Sequence, residues 1–236
     1  MPSPELIDLL QRGDVTVKGR MPWSSNATFL TEVCGRDQLT LAVYKPVRGE
    51  RQLWDFPPGL GKREFAAYEL SESLGWGLVP DTVFRTEGPL GEGSLQRFVN
   101  ADFEQHYFTL FEDEEQRWHD DLRRMCVFDL LANNTDRKSG HCLLGEDGRI
   151  YGIDNALCFH AEFKLRTVIW EFGGEDIPEQ LLDDVDRFIA AGVPDRLAEV
   201  LDPFERDALL ARGRALLSER RFPIDGTGRR YPWPLV

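Results

Sequence analysis

The sequence is short of basic residues and of long apolar runs, and both shortages narrow its range of functions. Its 28 Lys and Arg residues face 41 Asp and Glu residues, which gives a formal net charge of −13. Nucleic acids, anionic membranes and phosphoinositide headgroups all attract basic patches, so this balance argues against each as a partner. No apolar run reaches the ~18 residues that a membrane-spanning helix needs, and Met1–Leu10 is not a basic leader. We therefore expect a soluble, cytoplasmic protein.

Cysteine is scarce and is not arranged for metal binding or redox chemistry. The chain has four cysteines, and none of them forms a C-x-x-C pair. That spacing is what a zinc knuckle or a thioredoxin-like site requires. We expect four reduced thiols, with Cys126 and Cys158 buried because they lie in apolar runs. The hydrophobic content of 42% is nevertheless enough for a proper core, so the chain is predicted to fold.

Two carboxylates follow the end of an apolar helical pattern and are separated by a predicted hairpin. Apolar residues recur at helical spacing through Gln116–Ala132, and Asp136 lies just beyond. Short strand patterns flank Gly145–Gly148, and the hairpin they form would bring Asp154 back beside Asp136. Phosphoryl transfer needs one carboxylate to position a hydroxyl and another to hold Mg²⁺. The sequence therefore predicts a phosphoryl-transfer site, with Asp136 as the base and Asp154 as the metal ligand.

Charged residues around Asp136 fit the same chemistry. Arg137 and Lys138 would place positive charge against the phosphates. His141 occupies the position of the metal-binding Asn in the D-x-x-x-x-N loop of protein kinases. Because Mg²⁺ prefers oxygen, His141 either ligates the metal or bonds the loop or a phosphate, and both interpretations stay open. Asp129 interrupts the preceding apolar run, and we interpret it as holding the loop in place.

The amino-terminal part of the chain reads as an antiparallel sheet that supplies a lysine. Three alternating patterns, Val15–Lys18, Ala27–Val33 and Leu39–Tyr44, predict consecutive strands. Lys45 follows the third in Ala42-Val43-Tyr44-Lys45, which closely matches the V-A-I-K strand whose lysine pairs nucleotide phosphates. Asp136 and Asp154 would repel each other and raise the pKa of one of them unless a metal or this lysine compensates.

The phosphate flap and the hinge are the other nucleotide contacts that a kinase would need. The G-x-G-x-x-G flap is absent between the first two predicted strands. The residues that could donate to phosphates there are Ser24, Ser25 and Asn26. An ordinary polar hairpin loop is the alternative. After two further strands, Val79–Arg85 and Gly93–Val99, the backbone groups of Phe98, Val99 and Asn100 would contact the edge of adenine.

The carboxyl-terminal half is predicted to be mostly helical, after a basic and aromatic stretch that replaces a long activation segment. The helical patterns span Glu179–Ala191, Pro194–Val200 and Pro203–Arg221. In the stretch before them, Lys164, Arg166 and Trp170 either dock a substrate or pack and solvate the junction between lobes.

These motifs resemble a particular branch of kinases. Asp136-Arg137 preceded by Asn134 resembles the D-R-H loop of phosphatidylinositol 3- and 4-kinases, HipA-like toxin kinases and secretory-pathway casein kinases, and Ile153-Asp154-Asn155 looks like their second metal motif. From about Val15 to the Tyr231–Pro234 tail, the chain also resembles an actinobacterial family of phosphatidylinositol 3- and 4-kinase-like proteins. The resemblance implies a fold and a class of chemistry, and it names no acceptor.

The same resemblance points to a partner for the strand lysine. Arg63-Glu64-Phe65-Ala66-Ala67-Tyr68 opens the predicted helix Arg63–Leu74 and resembles the helix of secretory-pathway kinases whose Glu pairs that lysine. Glu64 is therefore expected to bond Lys45. Glu69 and Glu72 are the alternatives.

Together these observations predict an α+β, bilobal, protein-kinase-like fold in a single domain over 1–236. A small antiparallel-sheet lobe is expected over about 13–100 and a mostly helical lobe over about 101–236. The expected cofactors are ATP and Mg²⁺, and the expected reaction is transfer of phosphate to a protein or small-molecule hydroxyl. Two alternatives stay open: a degenerate nucleotide-binding sensor or scaffold, and nucleotidyl transfer on the same fold.

Overall fold

The described residues of the first hundred form a five-stranded antiparallel sheet with two α-helices. The computed structural model describes residues 4–22, 27–36 and 38–236. In sheet order, the strands are β1 (Asp14–Arg20), β2 (Phe29–Cys34), β3 (Leu39–Pro46), β5 (Gly93–Arg97) and β4 (Thr82–Arg85). All neighbouring strands are antiparallel. This order places β3, and Lys45 near its end, in the middle of the sheet.

Helix α1 (Pro4–Arg12) packs on the sheet. Helix α2 (Leu60–Ser73) connects β3 to β4 and also packs against the large lobe. Leu9 and Leu10 of α1 pack with Val33, Tyr44 and other sheet residues in a small core. Helix α2 is buried along nearly its whole length, and its apolar residues join the main core of the large lobe.

The large lobe is mostly helical and carries one short hairpin. Its elements are α3 (Tyr107–Phe111), α4 (His119–Ala132), β6 (Cys142–Leu144), β7 (Ile150–Gly152), α5 (Glu179–Ala191), α6 (Asp195–Ala198) and α7 (Pro203–Glu219). The main core joins α4 with α2, α5 and α7. Among the described residues, no helix has the length and apolarity to cross a bilayer. The predicted α+β bilobal fold with a sheet lobe and a helical lobe is therefore confirmed.

Several predicted boundaries shift for local reasons. The strand predicted from Val79 begins at Thr82, and Thr82 Oγ1 instead donates to the carbonyl of Pro80. Helix α2 begins at Leu60, three residues before the predicted start, after Gly59 in a left-handed conformation with φ 95°. Helix α3 was not predicted, because its single turn lies in an acidic segment without sustained periodicity.

Helix α4 ends where the catalytic loop was predicted. Asn133 adopts a left-handed conformation with φ 52°, a common helix ending that Asn tolerates. Its side-chain amide donates to the carbonyls of His160 and Glu162 at 2.9 and 2.7 Å, and its Oδ1 accepts from the Lys164 amide at 2.9 Å. The start of the loop is thus fastened to the segment that follows Asp154.

Candidate active site

The strand lysine, the helix glutamate and the second carboxylate meet at one point. Lys45 Nζ donates to Glu64 Oε1 and, at 2.7 Å, to Asp154 Oδ1. These side chains come from β3, α2 and the segment after β7, so the contact joins the two lobes. The pairing of Lys45 with Glu64 predicted from the sequence is present in the structure, whereas Glu69 pairs with Arg196 instead.

The charges at this point stabilise one another. Burial alone would lower the pKa of Lys45, but Asp154 and Glu64 outweigh it and raise that pKa above its ordinary value. The Lys45 ammonium is the main reason that the pKa of Asp154 lies well below its usual range. Burial raises the pKa of Glu64, and Lys45 opposes that rise. Asp154 is consequently ionised at neutral pH, and about half of its side chain is exposed, so it is accessible to a metal ion.

His141 contacts the backbone of Asp136 and the carboxylate of Asp154. Its Nδ1 lies 3.0 Å from the Asp136 carbonyl oxygen, which can only accept, and 3.4 Å from the Lys138 amide; because the contact with the carbonyl is shorter, we assign the ring proton to Nδ1. Its Nε2 then presents a lone pair and lies 3.5 Å from Asp154 Oδ2. Burial lowers the pKa of His141 to about 4, which keeps the ring neutral at pH 7. One nitrogen thus bonds the loop while the other faces the predicted metal position, so the two interpretations of His141 are compatible.

Asp136 is the second carboxylate of the site and is held by its own loop. Its amide donates to Asn134 Oδ1 at 3.0 Å, and Lys138 Nζ lies 3.6 Å from its Oδ2. Burial raises the pKa of Asp136 to about 6, and Lys138 partly opposes the rise. A carboxylate that titrates near neutral pH is suited to receive a proton from a hydroxyl. The repulsion expected from the sequence adds to this rise, because Asp154 also raises the pKa.

Arg137 does not face the cleft, and its predicted place beside the phosphates is wrong. The side chain is fully buried, and its guanidinium donates to both oxygens of Asp129 at 3.0–3.1 Å. It also donates to the carbonyl of Ile153 at 2.9 Å and to Asn155 Oδ1 at 2.7 Å. The run Asp-Arg-Lys alternates in direction, so Arg137 points inward while Lys138 lies beside Asp136. The interpretation of Asp129 as the residue that holds the loop agrees with these contacts.

The sequence includes Asn155 in the Ile153-Asp154-Asn155 motif but predicts no contacts for it, and the structure gives it three. Its amide N–H donates to Glu64 Oε2 at 3.0 Å, its Oδ1 accepts from Arg137, and its Nδ2 donates to the Gly152 carbonyl at 3.0 Å. It therefore joins α2, the catalytic loop and the hairpin. Its position directly after Asp154, at the end of an apolar strand, is the signal in the sequence that could have identified it.

A cavity of about 220 Å³ lies between the sheet and the β6–β7 hairpin. It opens beside Lys45, Glu64 and Asp154, which we call the charged cluster. It is lined by Met21, Pro22, Thr28, Val43, Lys45, Gln96, Arg97, Phe98, Val99, Phe103, His141, Leu143, Ile153 and Asp154. A more open groove of about 1050 Å³ lies between α1 and the β1–β2 region, and it contains none of the residues of the charged cluster. The cavity beside Lys45 and Asp154 is therefore the candidate nucleotide site.

The predicted hinge residues line the cavity, but not all of their backbone groups are free to bind a base. Phe98 and Val99 line the cavity, but the Phe98 N–H donates to the Leu41 carbonyl at 2.9 Å and is not available to a base. The Asn100 carbonyl is likewise used, by the amide of Glu146 at 3.0 Å. The expectation for Ser24, Ser25 and Asn26 falls outside the described residues.

The basic and aromatic stretch after Asp154 contributes mainly to packing. Lys164 Nζ donates to the Asp55 carbonyl at 2.6 Å, which ties this stretch to the connector before α2. Trp170 Nε1 donates to the Arg230 carbonyl at 3.2 Å. Arg166 is the one of the three predicted docking residues whose side chain is exposed.

Metal-binding side chains are few. Within residues 4–22, 27–36 and 38–236, no three His, Cys, Asp or Glu side chains are grouped as a metal cage. Asp154 and His141 would therefore share a metal ion with oxygens from another molecule. That is the usual situation for Mg²⁺, which is bound by one or two carboxylates together with substrate phosphates.

Comparison with solved structures places the fold among kinases. The Golgi casein kinase superimposes with a TM-score of 0.61 and 16% sequence identity, over 98% of this chain and 78% of that one. The hydra Fam20 structure with sugar gives a TM-score of 0.58, with 15% identity, over 91% and 87% of the two chains. The Helicobacter pylori proinflammatory kinase CtkA gives a TM-score of 0.52 and 11% identity, over 90% and 94%. The Golgi casein kinase has also been solved with Mn/ADP bound. At these identities the likeness shows the atypical-kinase-like fold alone.

Comparison of sequences gives a nearer relative. No protein-family model matches the chain. Protein Rv2133c of Mycobacterium tuberculosis (strain ATCC 25618 / H37Rv) is 41% identical over an alignment of 261 positions, gaps included. The alignment covers 96% of this chain and 94% of that protein. An identity of this size over nearly the full length of both proteins means that the chain belongs to the same family as Rv2133c.

Proposed function

We propose that this protein is an atypical kinase that transfers the γ-phosphate of ATP to a hydroxyl group with the help of a divalent metal ion. The observation that carries the proposal is the meeting of Lys45, Glu64 and Asp154, with Asp136 on the same loop as His141. These side chains lie far apart in the sequence and come from both lobes. The kinase-like fold supports the same reaction class.

The residues present fit a nucleotide and a metal ion. Asp154 and the Nε2 of His141 would hold the metal, and Lys45 would bind the phosphates while Glu64 keeps it in place. The bound metal would neutralise charge on the triphosphate. The backbone at Val99 and the apolar walls of the cavity would hold the base. The Mn/ADP complex of the Golgi casein kinase, which shares this fold, is consistent with the assignment.

Asp136 and Lys138 would act at the other end of the transferred group. Asp136 would orient the acceptor hydroxyl and accept its proton, for which a pKa of about 6 is well placed. Lys138, 3.6 Å from that carboxylate, is the cation of the loop that remains available to the phosphate. Arg137 is assigned no contact with substrate. We further propose that both lobes form one domain over 1–236 and that the acceptor is a protein or a small molecule.

A second candidate, a nucleotide-binding sensor without turnover, is favoured by the missing glycine-rich motif. An experiment with labelled ATP separates the possibilities. The purified protein is incubated with Mg²⁺ or Mn²⁺ and with γ-labelled or α-labelled ATP, alone and with pools of peptides and small hydroxyl compounds. Transfer or release of the γ-label only, lost in Asp136→Asn, supports the kinase. Transfer of the α-label indicates nucleotidyl transfer, and nucleotide binding with no reaction above the Asp136→Asn background supports the sensor.

A further inference from the structure

Helix α2 carries Glu64 and contacts both lobes: it packs against β4 and β5 of the sheet and against α4 and α6 of the large lobe. Phe65, Ala66, Ala67 and Leu70 are buried in the same core as α4 and α7. At its carboxyl-terminal end, Ser71 Oγ accepts the amides of Leu78 and Val79, at 2.7 and 3.2 Å, which fixes the exit from the helix. The large lobe therefore contributes to the placement of Glu64, and in the first turn of α2 it does so through Arg63.

Arg63, next to Glu64 in the first turn of α2, is a buried arginine that reaches across to the large lobe. Its Nη2 forms an ion pair with Glu205, and both side chains are nearly inaccessible to solvent. Its Nη1 donates to the Cys158 carbonyl at 2.7 Å, and the guanidinium carbon lies 4.9 Å from the centre of the Phe56 ring. One side chain therefore connects α2 with α7, with the segment after Asp154 and with the connector before α2.

Glu205 is itself fixed, so it can serve as an anchor. It lies in the first turn of α7, where its amide donates to Asp202 Oδ1 at 2.9 Å and its Oε2 accepts from the Asp202 amide at 3.1 Å. Two turns further along α7, Arg212 Nε donates to the carbonyl of Leu131 at 2.7 Å, just before the catalytic loop. Helix α7 thus holds the start of α2 and the end of α4 at the same time.

No phosphorylation switch is available in the segment that performs this task in protein kinases. There, phosphorylation of the activation loop controls the position of the glutamate helix. Here, residues 155–166 contain no Ser, Thr or Tyr. Thr167, the first hydroxyl residue after them, is buried and its Oγ1 lies 3.3 Å from Asp129 Oδ2. In this structure the first turn of α2 is held by the ion pair and hydrogen bond of Arg63, which need no modification of that segment.

We propose that Arg63 is a positioning residue: its ion pair with Glu205 fixes the first turn of α2, so that Glu64 holds Lys45 and the Asn155 amide without any modification of the segment after Asp154. The inference rests on the proposed kinase function for its catalytic consequence. Its structural part, the fixing of the first turn of α2, does not. Since misplacing a reacting group by ~1 Å can cost about 10²-fold in rate, loss of the anchor is expected to reduce turnover even at saturating nucleotide.

The test removes both charges, because a buried ion pair can be replaced by apolar side chains with little loss of stability, whereas a single removal strands a charge. Arg63→Met/Glu205→Met is compared with the wild-type protein and with Glu69→Gln/Arg196→Gln. The control pair joins the same helix to α6 at 3.2 Å, and its carboxylate lies more than one helical turn beyond Glu64. The readouts are amide hydrogen exchange over residues 60–66, the melting temperature, and the rate of γ-phosphate transfer or release at saturating Mg-ATP.

We expect the Arg63→Met/Glu205→Met protein to exchange the amides of residues 60–66 at least ~10-fold faster and to turn over at least ~10-fold more slowly, with α4 exchange unchanged. The Glu69→Gln/Arg196→Gln control is expected to change either rate by less than about twofold. Arg63→Lys, which keeps a cation opposite Glu205, is expected to recover most of the turnover. Wild-type turnover in Arg63→Met/Glu205→Met would overturn the proposal, whether or not exchange changes.

Two further outcomes are informative. If the double variant does not fold, Glu205→Gln decides, because it keeps the shape and the capping bonds but removes the charge: unchanged turnover and exchange in that variant overturn the proposal. If the wild-type protein shows no turnover at all, the kinase function fails separately. The anchor is then judged on exchange, where unchanged protection of residues 60–66 in the double variant refutes it.

Discussion

The inward orientation of Arg137 makes a strong prediction about stability. Replacing Arg137 by Met removes a guanidinium that is fully buried and leaves the Asp129 carboxylate, about 1% exposed, without its counterion. Removing one partner of a buried ion pair costs about 3–5 kcal/mol. The Ile153 carbonyl and Asn155 Oδ1 lose a donor as well. Against a total stability of about 5–15 kcal/mol, this is a large fraction.

The melting temperature follows from that cost. For a chain of this length, each kcal/mol shifts the midpoint by about 2–4 °C, so Arg137→Met is expected to melt about 6–20 °C below wild type in a circular dichroism scan. Asp129→Leu/Arg137→Met should melt above the single variant, because the stranded charge is gone. Lys138→Met is the matched control, since Lys138 is partly exposed and its removal is expected to cost less than ~1 kcal/mol.

Binding measurements complete the comparison. Arg137→Met should bind Mg-ATP like the wild-type protein at a temperature where it remains folded, whereas Lys138→Met should lose turnover with its stability intact. A protein that melts at the wild-type temperature and binds Mg-ATP much more weakly would show that Arg137 contacts phosphate. That result would refute the structural role derived from its burial.

Three other predictions follow from the site. Asp154→Asn is expected to weaken Mg-ATP binding and to abolish phosphate transfer. Asp136→Asn should leave Mg-ATP binding near wild type and reduce turnover by ~10² or more. Calorimetry measures the binding, and a labelled-phosphate assay measures the turnover. Because burial raises the pKa of Asp136 to about 6 and the base must be ionised, kcat/KM should be level above that pH and fall about tenfold per unit below it; a profile that stays flat to pH 4.5 would exclude Asp136 as the base. His141 offers a nitrogen ligand, so the wild-type protein should favour Mn²⁺ over Mg²⁺ in the presence of ADP, and His141→Asn should shift the preference toward Mg²⁺, measured by Mn²⁺ electron paramagnetic resonance with Mg²⁺ competition.

Sequence patterns were sufficient where local chemistry decides the structure. Helix α5 has the predicted bounds, because clear apolar periodicity is bounded there by Gly192. Lys45 and Glu64 were recognised from motifs in a strand and in a first helical turn, and the structure brings them together. Asp154 also reaches this site, because the antiparallel β6–β7 hairpin returns the chain to the loop.

The errors arise where the direction of a side chain depends on tertiary packing. Arg137 and Lys138 are both cations in one loop, and only the buried Asp129 behind them decides that Arg137 turns inward. Asn155 and Arg63 act through partners that are distant in sequence, such as Glu205, and one chain alone gives no signal for such pairs. The tie between Phe98 and Leu41 was likewise invisible, since it depends on how far the pairing of β3 and β5 extends.

That tie at the hinge has a consequence for inhibitor design. Many compounds that compete with ATP use two or three neighbouring backbone groups of the hinge as anchors. Among the described residues, the Val99 N–H makes no hydrogen bond, while the Phe98 N–H and the Asn100 carbonyl are already occupied. A compound that relies on the Phe98 N–H would have to break its bond to Leu41, whereas the Asn100 carbonyl can accept a second hydrogen bond. Selective compounds should instead combine one acceptor for Val99 with contacts to Phe103, which stands largely exposed at the mouth of the cavity.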